Sequence, residues 1–509
     1  MRSKSEGTAS FRFILRRLAS GRLALDDLWL LVVPLVLLIL LEYEQVRPHD
    51  FRWHLRSGRI IAETKAIPAA DLFTYTRAGV PWANQGWLMQ TLLYLLYRCG
   101  GLPLVIFLNA LLIALGYALV VTACWRAGVT ARAAGLAAVG AAALGVIHWG
   151  VRPQAASFPL FGAVVWVMES HRARAGRIIW TLPALFALWS NLHGGFVFGL
   201  GVWGLYALCR PAADLSRQRA LTGETRQVVV VGALSALALS LNPNGPLGTA
   251  RYVWGFLQSD ATFRYNLEFQ PLSMHQLDGQ LFFAVLTLYL FLACRRRAMP
   301  PPDTALATIL LGALSLYSRR ASPWLGMAAA PAFAQALHAR KGGSPSVGPS
   351  SPRPGTRWVN YLFMTVLLML LGARLPWLRP YLPGPPEQRA YVVAAETPVQ
   401  AAAALCDLGP EVRLFNDIAF GSYLIWACPD LPVFMDTRFE LYPDAMWRDY
   451  LLVADARFGW EKVLARYGVN TILASRRDQS LLISAALASG DWQPLHEDHA
   501  AVILQRRPR

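Results

Sequence analysis

Long apolar runs recur along the first 376 residues of the chain, and each is close to the ~20 residues that a helix needs to cross a bilayer. We predict about eleven membrane spans. They lie at residues 28–43, 102–124, 133–150, 154–170, 178–190, 195–209, 227–242, 279–294, 304–317, 321–337 and 358–376. With 55% hydrophobic and only 16% charged residues, the chain has more apolar surface than one water-soluble core could bury. The sequence therefore predicts a polytopic α-helical membrane protein.

Basic clusters between these spans predict their orientation, because short cytoplasmic loops carry an excess of lysine and arginine. With the N-terminus inside, every such cluster falls on the cytoplasmic side. The clusters lie within residues 126–132, 172–177, 210–226, 295–297 and 340–341. Because the net charge of +17 is distributed over these loops and not gathered on one patch, we predict no nucleic-acid partner. The pattern is typical of a multi-pass protein of the cell inner membrane.

This orientation divides the chain into predicted segments. They are a cytoplasmic segment at 1–26, a transmembrane domain at 27–376 with external loops at 44–101 and 243–278, a cytoplasmic Gly/Ser/Pro linker at 338–357, and an external, periplasmic domain at 377–509. The linker composition is typical of flexible connections. The last segment has fewer apolar runs and is predicted to fold separately.

The external C-terminal segment has the pattern of a small α/β domain, with short apolar runs alternating with helical patterns. We predict strands at 412–415, 423–427, 433–435, 471–474, 492–495 and 501–505, and helices at 445–454 and 460–467. Polar residues follow predicted strands at Asn416, Asp417, Asp436 and Arg438. They either line a binding crevice at the sheet edge or cap helices and turns. Cys406 and Cys428 also lie here, where a disulfide is permitted but not dictated by the sequence.

The first external loop is the most informative stretch, because a loop of its length in a compact membrane protein is usually functional. Asp50 lies just beyond the first span, before a predicted amphipathic helix at 51–61. His54 is four residues later and therefore on the same helical face. Basic residues surround them at Arg47, Arg52, Arg56, Arg59 and Lys65. Arginine matches phosphate oxygens well, so these cations indicate a phosphate-bearing ligand or, alternatively, an interfacial helix resting on membrane lipids.

The order of features in this loop resembles the GT-C glycosyltransferases. These features are an acidic residue after the first span, a basic-aromatic helix with Gly58, then Pro68, a second acid at Asp71 and a Gly-x-Pro-Trp turn at 79–82 that opens the next helix. That superfamily consists of membrane enzymes that use polyprenyl-phosphate-linked sugars. The resemblance implies that Asp50 is the catalytic carboxylate and that Asp71 is a weaker match for a second acidic position. The elements NLHGG at 191–195 and Asp-x-Arg at 436–438 are also similar to those of a poorly described bacterial membrane family.

Further candidate residues lie at predicted outer turns. Arg152, Arg319 and Arg320 occupy very short turns where cations oppose the positive-inside tendency, so they are either a phosphate clamp or contacts to lipid headgroups. Asn191 and His193 flank a glycine pair and either line a substrate cavity or form a polar turn. Glu268, in the second external loop, is a candidate second carboxylate or metal ligand.

Together these residues predict a glycosyltransferase that moves a sugar from a polyprenyl-phosphate-linked donor to an acceptor at the external face. Asp50 would be the general base, and His54 would position the acceptor or assist proton transfer, or be structural. Asp50, Asp71 and Glu268 carry oxygen ligands suited to Mg²⁺ or Mn²⁺, although members of the superfamily differ in metal dependence. The alternatives are a transporter or lipid flippase and a non-catalytic membrane scaffold. A transporter is expected to bury ionisable residues within its spans, and these spans almost lack them.

Overall fold

The computed structural model describes residues 23–338, 357–381, 393–409 and 411–508. The chain up to residue 381 is mostly helical. Its helices are α1 (Leu25–Leu41), α2 (Phe51–Thr64), α3 (Trp87–Arg126), α4 (Ala131–Ala143), α5 (Ser157–Ala173), α6 (Leu182–Leu192), α7 (Phe196–Gln218), α8 (Gly223–Ala238), α9 (Gly245–Leu257), α10 (Asp260–Tyr265), α11 (Leu277–Arg296), α12 (Pro302–Tyr317), α13 (Ser322–His338) and α14 (Arg357–Arg374). The basic cluster at 340–341, most of the predicted linker and most of the predicted N-terminal segment lie outside the described residues.

A helix lies at each predicted span. Within the described ranges, three helices are long and apolar enough to cross a membrane by length and composition, namely α3, α7 and α11. Helix α3 begins at Trp87, within the predicted first external loop, and bends at Gly100 and Gly101. The predicted second external loop contains α9 and α10. The number of crossings and their orientation stay predictions.

Helix α2 lies directly on α3. A Cβ atom built at Gly58 would lie 2.0 Å from the backbone oxygen of Gln90, so only glycine permits this approach. The first-loop helix predicted from the sequence is therefore confirmed, and it continues to Thr64. Its packing against α3 fixes the position of the residue that precedes it, Asp50.

The C-terminal domain contains a four-stranded mixed sheet with strand order β1-β2-β4-β3. Strand β1 is parallel to β2, and the other two pairings are antiparallel. The elements are α15 (Val399–Cys406), β1 (Leu414–Asn416), α16 (Ile418–Ala427), α17 (Asp444–Ala454), α18 (Trp460–Arg466), β2 (Thr471–Ser475), α19 (Ser480–Ser489), β3 (Trp492–Glu497) and β4 (Ala501–Arg506). A disulfide joins Cys406 to Cys428.

Two predicted strands of this domain are wrong. Residues 423–427 belong to α16, because a short, fully apolar run suits a buried helix as well as a buried strand. Residues 433–435 form no strand; Val433 instead makes a single parallel bridge with Thr74 of the first loop. This bridge belongs to a broad contact in which Trp53, Phe73 and Trp82 share one buried core with the C-terminal domain.

Candidate active site

Asp50 immediately precedes α2, and its side chain faces a cation from another part of the chain. Its Oδ2 lies 3.5 Å from Nη1 of Arg152. Arg152 belongs to the turn between α4 and α5, just before the 3-10 helix Pro153–Ala156. The Asp50 carboxylate accepts no capping hydrogen bond from its own helix. It is therefore held by one ion pair and remains available to a ligand.

Arg152 also takes part in a series of connected ion pairs, whose members come from four separate segments of the sequence. Its Nη1 also contacts Oε1 of Glu268 in the loop before α11, and Oε2 of Glu268 lies 3.2 Å from Nη1 of Arg320. We call Asp50, Arg152, Glu268 and Arg320 the ion-pair chain. Its side chains are 30%, 17%, 24% and 24% exposed in that order, so each is partly open to solvent. The structure thus brings together four of the predicted site residues.

The ionisation of Glu268 follows from its two arginine partners. Burial raises the pKa of this carboxyl, but the positive charges of Arg152 and Arg320 outweigh burial and lower the pKa to about 2. Glu268 is therefore an anion at any physiological pH, and the ion-pair chain is electrically balanced. An incoming anionic group would find two partly exposed guanidinium groups, but it must compete with Glu268 for them.

Arg319 has different partners from its neighbour Arg320. Its Nη1 lies 3.5 Å from Oδ2 of Asp278, its Nη2 donates to Gln276, and Nε2 of His148 lies 3.1 Å from its backbone oxygen. Arg319 and Arg320 thus contact different partners, although their adjacent positions in the sequence suggested that both would bind one phosphate. The sequence analysis missed Asp278 because nothing in its local pattern distinguishes it from a helix-starting acid.

His193 lies in a polar turn close to the ion-pair chain. Its Nδ1 lies 2.8 Å from the Ser157 hydroxyl and accepts from the Gly195 backbone N–H at 3.0 Å. Burial lowers the pKa of His193 to about 3, with the charges of Arg320 and Arg152 adding to the effect. At neutral pH His193 is therefore an uncharged hydrogen-bonding group and not a cation for phosphate.

Asn191 and His54 make contacts within the protein scaffold. The Asn191 amide donates to the backbone oxygens of Ala187 and Leu241, at 2.8 Å each. His54 Nδ1 lies 3.1 Å from Nε2 of Gln90. Burial lowers the pKa of His54 well below its ordinary value, and nearby positive charge adds to this effect. His54 is thus also a neutral imidazole, a state compatible with positioning an acceptor.

Asp71 lies in a buried cluster that joins the first loop to the C-terminal domain. Its Oδ1 accepts from Nη2 of Arg438 at 2.6 Å, and its Oδ2 accepts from the backbone and hydroxyl of Thr74. Arg438 is also paired with Asp436, and all three charged side chains are fully buried. None of these partners belongs to the ion-pair chain. The geometry therefore gives Asp71 a structural explanation, and its predicted catalytic role receives no support from these contacts.

We expect Asp71→Asn to lower the stability of the protein by about 3 kcal/mol, because it removes one charge from a fully buried cluster around Arg438. The measurement is thermal unfolding of the purified protein together with limited proteolysis of the C-terminal domain. Asp455→Asn, in an exposed ion pair of the same domain, is the matched control and should be nearly neutral. A stable Asp71→Asn protein that is nonetheless inactive would return Asp71 to a catalytic role.

The proposed metal ligands do not fit a shared cation. Asp71 is occupied by Arg438, and Glu268 is flanked by two guanidinium groups whose charge repels a metal ion. Across the residues that the structure describes, no group of three or more His, Cys, Asp or Glu side chains could hold a metal. We therefore assign no step to Mg²⁺ or Mn²⁺.

Glu440 is an acid beside the first loop that the sequence analysis missed. It lies in the C-terminal domain, and its Oε1 accepts from Nε1 of Trp82 at 3.3 Å. The residue is exposed, and desolvation by the surrounding protein raises the pKa of its carboxyl. Burial raises the pKa of Tyr252 to about 12, and the negative charge of Glu440 adds to this. The Tyr252 hydroxyl also lies against Gly194 of the NLHGG element.

The lowered pKa of His193 predicts a pH dependence of stability. Unfolding returns His193 to an ordinary pKa of about 6.5, so between roughly pH 6.5 and its folded pKa the unfolded state binds a proton that the folded state excludes. Its contribution to stability is present above pH 6.5 and is lost as the pH falls. Because burial raises the pKa of Asp417 to about 6, which acts in the opposite direction, variants must be compared.

The expected result is a smaller fall in unfolding temperature between pH 7.5 and pH 5 for His193→Gln than for the unmodified protein. Differential scanning fluorimetry in detergent provides the measurement. His275→Gln, at an exposed position, serves as the control and should leave the pH dependence unchanged. An identical pH dependence in His193→Gln and the unmodified protein would contradict the assigned neutral state.

Comparison with known proteins identifies the fold. No family model and no curated protein sequence matches the chain. Among solved structures, it is similar to the apo oligosaccharyltransferase of Archaeoglobus fulgidus, with a TM-score of 0.53 and 14% identity over 88% of this chain and 70% of that chain. It is also similar to the arabinofuranosyltransferase AftD from Mycobacteria, with a TM-score of 0.54 and 16% identity over 95% of this chain but only 42% of AftD.

A third similarity is to ArnT from Cupriavidus metallidurans bound to undecaprenyl phosphate, with 17% identity over 97% of this chain and 98% of that chain. Its TM-score of 0.47 is too low to support further inference. The two stronger similarities show that the chain has the fold of the GT-C glycosyltransferases, as the resemblance implied. The apolar helices and this fold together identify a membrane protein.

Proposed function

We propose that this protein is a membrane glycosyltransferase that transfers a sugar from a polyprenyl-phosphate-linked donor to an acceptor. The observation that carries the proposal is the ion-pair chain, in which a lightly held carboxylate adjoins two partly exposed guanidinium groups. The GT-C fold supports it, since both stronger structural neighbours are named as sugar transferases. A scaffold would not need such charges gathered in one place.

The proposed reaction uses Asp50 as the general base. Asp50 takes the proton of an acceptor hydroxyl as its oxygen forms a bond to the anomeric carbon of the donor sugar. The bond between that carbon and the phosphate oxygen breaks, and the polyprenyl phosphate leaves with the electron pair. Arg152 and Arg320 stabilise the charge of the departing phosphate, a role suited to preorganised cations.

Glu268 has a separate role in this proposal. Without a donor it holds both guanidinium groups in place and, together with Asp50, balances their charge. When the donor phosphate binds, the two arginines share their hydrogen bonds between Glu268 and the phosphate. A permanently ionised Glu268 thus keeps the arginines oriented and permits release of the product phosphate.

We further propose that the site and the C-terminal domain face the outer side of the cell inner membrane, in the orientation given by the basic loops. Glu440 of the C-terminal domain and its neighbour Tyr252 would then contact the acceptor. Hydroxyl groups of a sugar acceptor suit a carboxylate flanked by Trp82 and Tyr252.

The test is sugar transfer by purified protein in lipid vesicles. Radiolabelled polyprenyl-phosphate sugars are supplied with envelope extracts as acceptors, and both the labelled product and released polyprenyl phosphate are measured. Equal release of carrier and gain of labelled acceptor supports the proposal. Movement of intact labelled donor across the bilayer without a product would instead establish the flippase alternative. Mass spectrometry of envelope glycans with and without the gene then identifies the sugar.

A further inference from the structure

We infer that Ser422 of the C-terminal domain is a positioning residue for Asp50, so that the C-terminal domain completes the active site. This inference rests on the proposed function, because it concerns the carboxylate assigned there as the base. Ser422 lies on a different domain from Asp50. Within the described ranges, its hydroxyl forms no hydrogen bond with any member of the ion-pair chain.

The Ser422 hydroxyl binds the backbone on both sides of Asp50. It donates to the carbonyl oxygen of His49, the residue before Asp50, and accepts from the backbone N–H of Trp53 at 3.4 Å. A second contact lies nearby, where Nε1 of Trp53 donates to the Thr437 hydroxyl at 3.1 Å. One hydroxyl thus spans the segment that carries the proposed base.

The Ser422 hydroxyl accepts a hydrogen bond that the Asp50 side chain would otherwise accept. The first intrahelical bond of α2 joins the His54 N–H to the Asp50 carbonyl, so the N–H of Trp53 lacks a partner within the helix. An aspartate at a helix start normally accepts such an N–H with its own side chain. Asp50 does not, and Ser422 accepts the Trp53 bond instead. The Asp50 carboxylate therefore makes no capping bond, and beyond its ion pair with Arg152 it remains available for proton transfer.

Ser422 is itself rigidly placed. It is fully buried in α16, whose start is capped by Asp417 through the backbone N–H groups of Ala419 and Phe420, at 2.9 and 3.3 Å. The preceding Gly421 packs so closely that a Cβ there would lie 2.1 Å from the Met435 oxygen. The fold of the C-terminal domain therefore fixes the hydroxyl, and the hydroxyl fixes the segment around Asp50.

The test compares Ser422→Ala with Ser422→Thr, which restores a hydroxyl, and with Ser489→Ala as the matched control. Ser489 lies in the same domain, and its hydroxyl makes only local contacts: it donates to Ala486 at 2.7 Å and accepts from the Asp491 backbone N–H at 3.3 Å. We expect Ser422→Ala to lower kcat by about ten- to a hundredfold with little change in the KM for the donor, since a misplaced catalytic group has effects of this size. Ser422→Thr should recover most of kcat, and Ser489→Ala should match the unmodified protein.

Hydrogen exchange provides a readout that does not depend on activity. Peptides covering residues 49–55 should exchange faster in Ser422→Ala, while the unfolding temperature and the exchange of α17 stay unchanged. If exchange at 49–55 and kcat both match the unmodified protein, the inference is overturned. If KM and kcat change together with a general loss of protection, Ser422 is merely structural and the inference is equally overturned.

The two proposals fail in different ways. Full activity of an Asp50→Asn protein would remove Asp50 from the mechanism, and with it the catalytic part of this inference, whatever Ser422→Ala does. An inactive Asp50→Asn protein with a fully active Ser422→Ala protein would leave the proposed function intact and overturn only the positioning role.

Discussion

Asp50→Asn is expected to lower kcat for sugar transfer by about a thousandfold, within the range attributed to general bases. The amide keeps the shape of the carboxylate but cannot accept the acceptor proton. Because the Asp50 side chain is partly exposed and has a single ion pair at 3.5 Å, its loss should hardly affect folding. The measurement is the rate of labelled product formation in vesicles at saturating donor, alongside the unfolding temperature.

The matched control for this variant is Glu63→Gln. Glu63 lies on the same helix, α2, and forms an exposed ion pair with Arg59 at 2.8 Å. Exposed pairs of this kind contribute little, so its kcat and unfolding temperature should equal those of the unmodified protein. If Asp50→Asn and Glu63→Gln are equally active, Asp50 is not the base. If both are inactive, α2 rather than one carboxylate is the sensitive feature.

The helical part of the fold could be predicted because its signal is local. An apolar run long enough to span a bilayer leaves few alternatives to a helix, and each of the predicted runs contains one. The predicted span 102–124 covers only the second part of α3. The helix itself begins at Trp87, soon after the Gly-x-Pro-Trp turn, and the glycine pair Gly100–Gly101 interrupts it before the predicted span begins.

The C-terminal domain was harder because short apolar runs are ambiguous. Residues 423–427 read as a strand, but their neighbours complete a buried helix that starts at the Asp417 cap. Apolarity reports burial and not backbone conformation, so tertiary packing decides between the two. Strands β2 and β4 were predicted correctly because β-branched residues and flanking turn signals accompany their apolar runs.

The candidate site residues could be predicted from the sequence, but not which of them form ion pairs with each other. Arg152 and Arg320 stood out because a cation in a short outer turn is unusual, and Asp50 because of the resemblance in the first loop. No local pattern links Glu268 to Arg152, more than a hundred positions earlier, or Asp71 to Arg438. Ion pairs between distant segments depend on the fold, so a sequence shows the charges and not which of them meet.

Ser422 and Glu440 illustrate the same limit in a different way. Each lies on the C-terminal domain, and neither has an unusual sequence context. Their importance comes only from the contact between that domain and the first loop, where Trp53 and Trp82 enter the shared core. The second domain is thus part of the proposed site, which its separate composition did not indicate.

Arg320→Gln is expected to raise the KM for the polyprenyl-phosphate donor by about ten- to a hundredfold, because it removes a charge-assisted contact to the phosphate. The KM of Arg320→Lys should lie between those of the unmodified protein and Arg320→Gln, since lysine keeps the charge but not the planar, bidentate geometry. The measurement is the KM for the donor and the inhibition constant of free polyprenyl phosphate. Both should rise together, because both report contacts to the same phosphate.

Arg319→Gln is the matched control, one residue away in the same turn. Its guanidinium contacts Asp278 and Gln276 rather than Glu268, so its loss should change the KM by less than about twofold, as for a cation outside the phosphate site. A larger effect for Arg319 than for Arg320 would assign the phosphate to the Asp278 side of the turn. The phosphate-binding arginine would then have no ion-pair connection to Asp50, because, of these two arginines, only Arg320 is joined to Asp50 through Glu268 and Arg152.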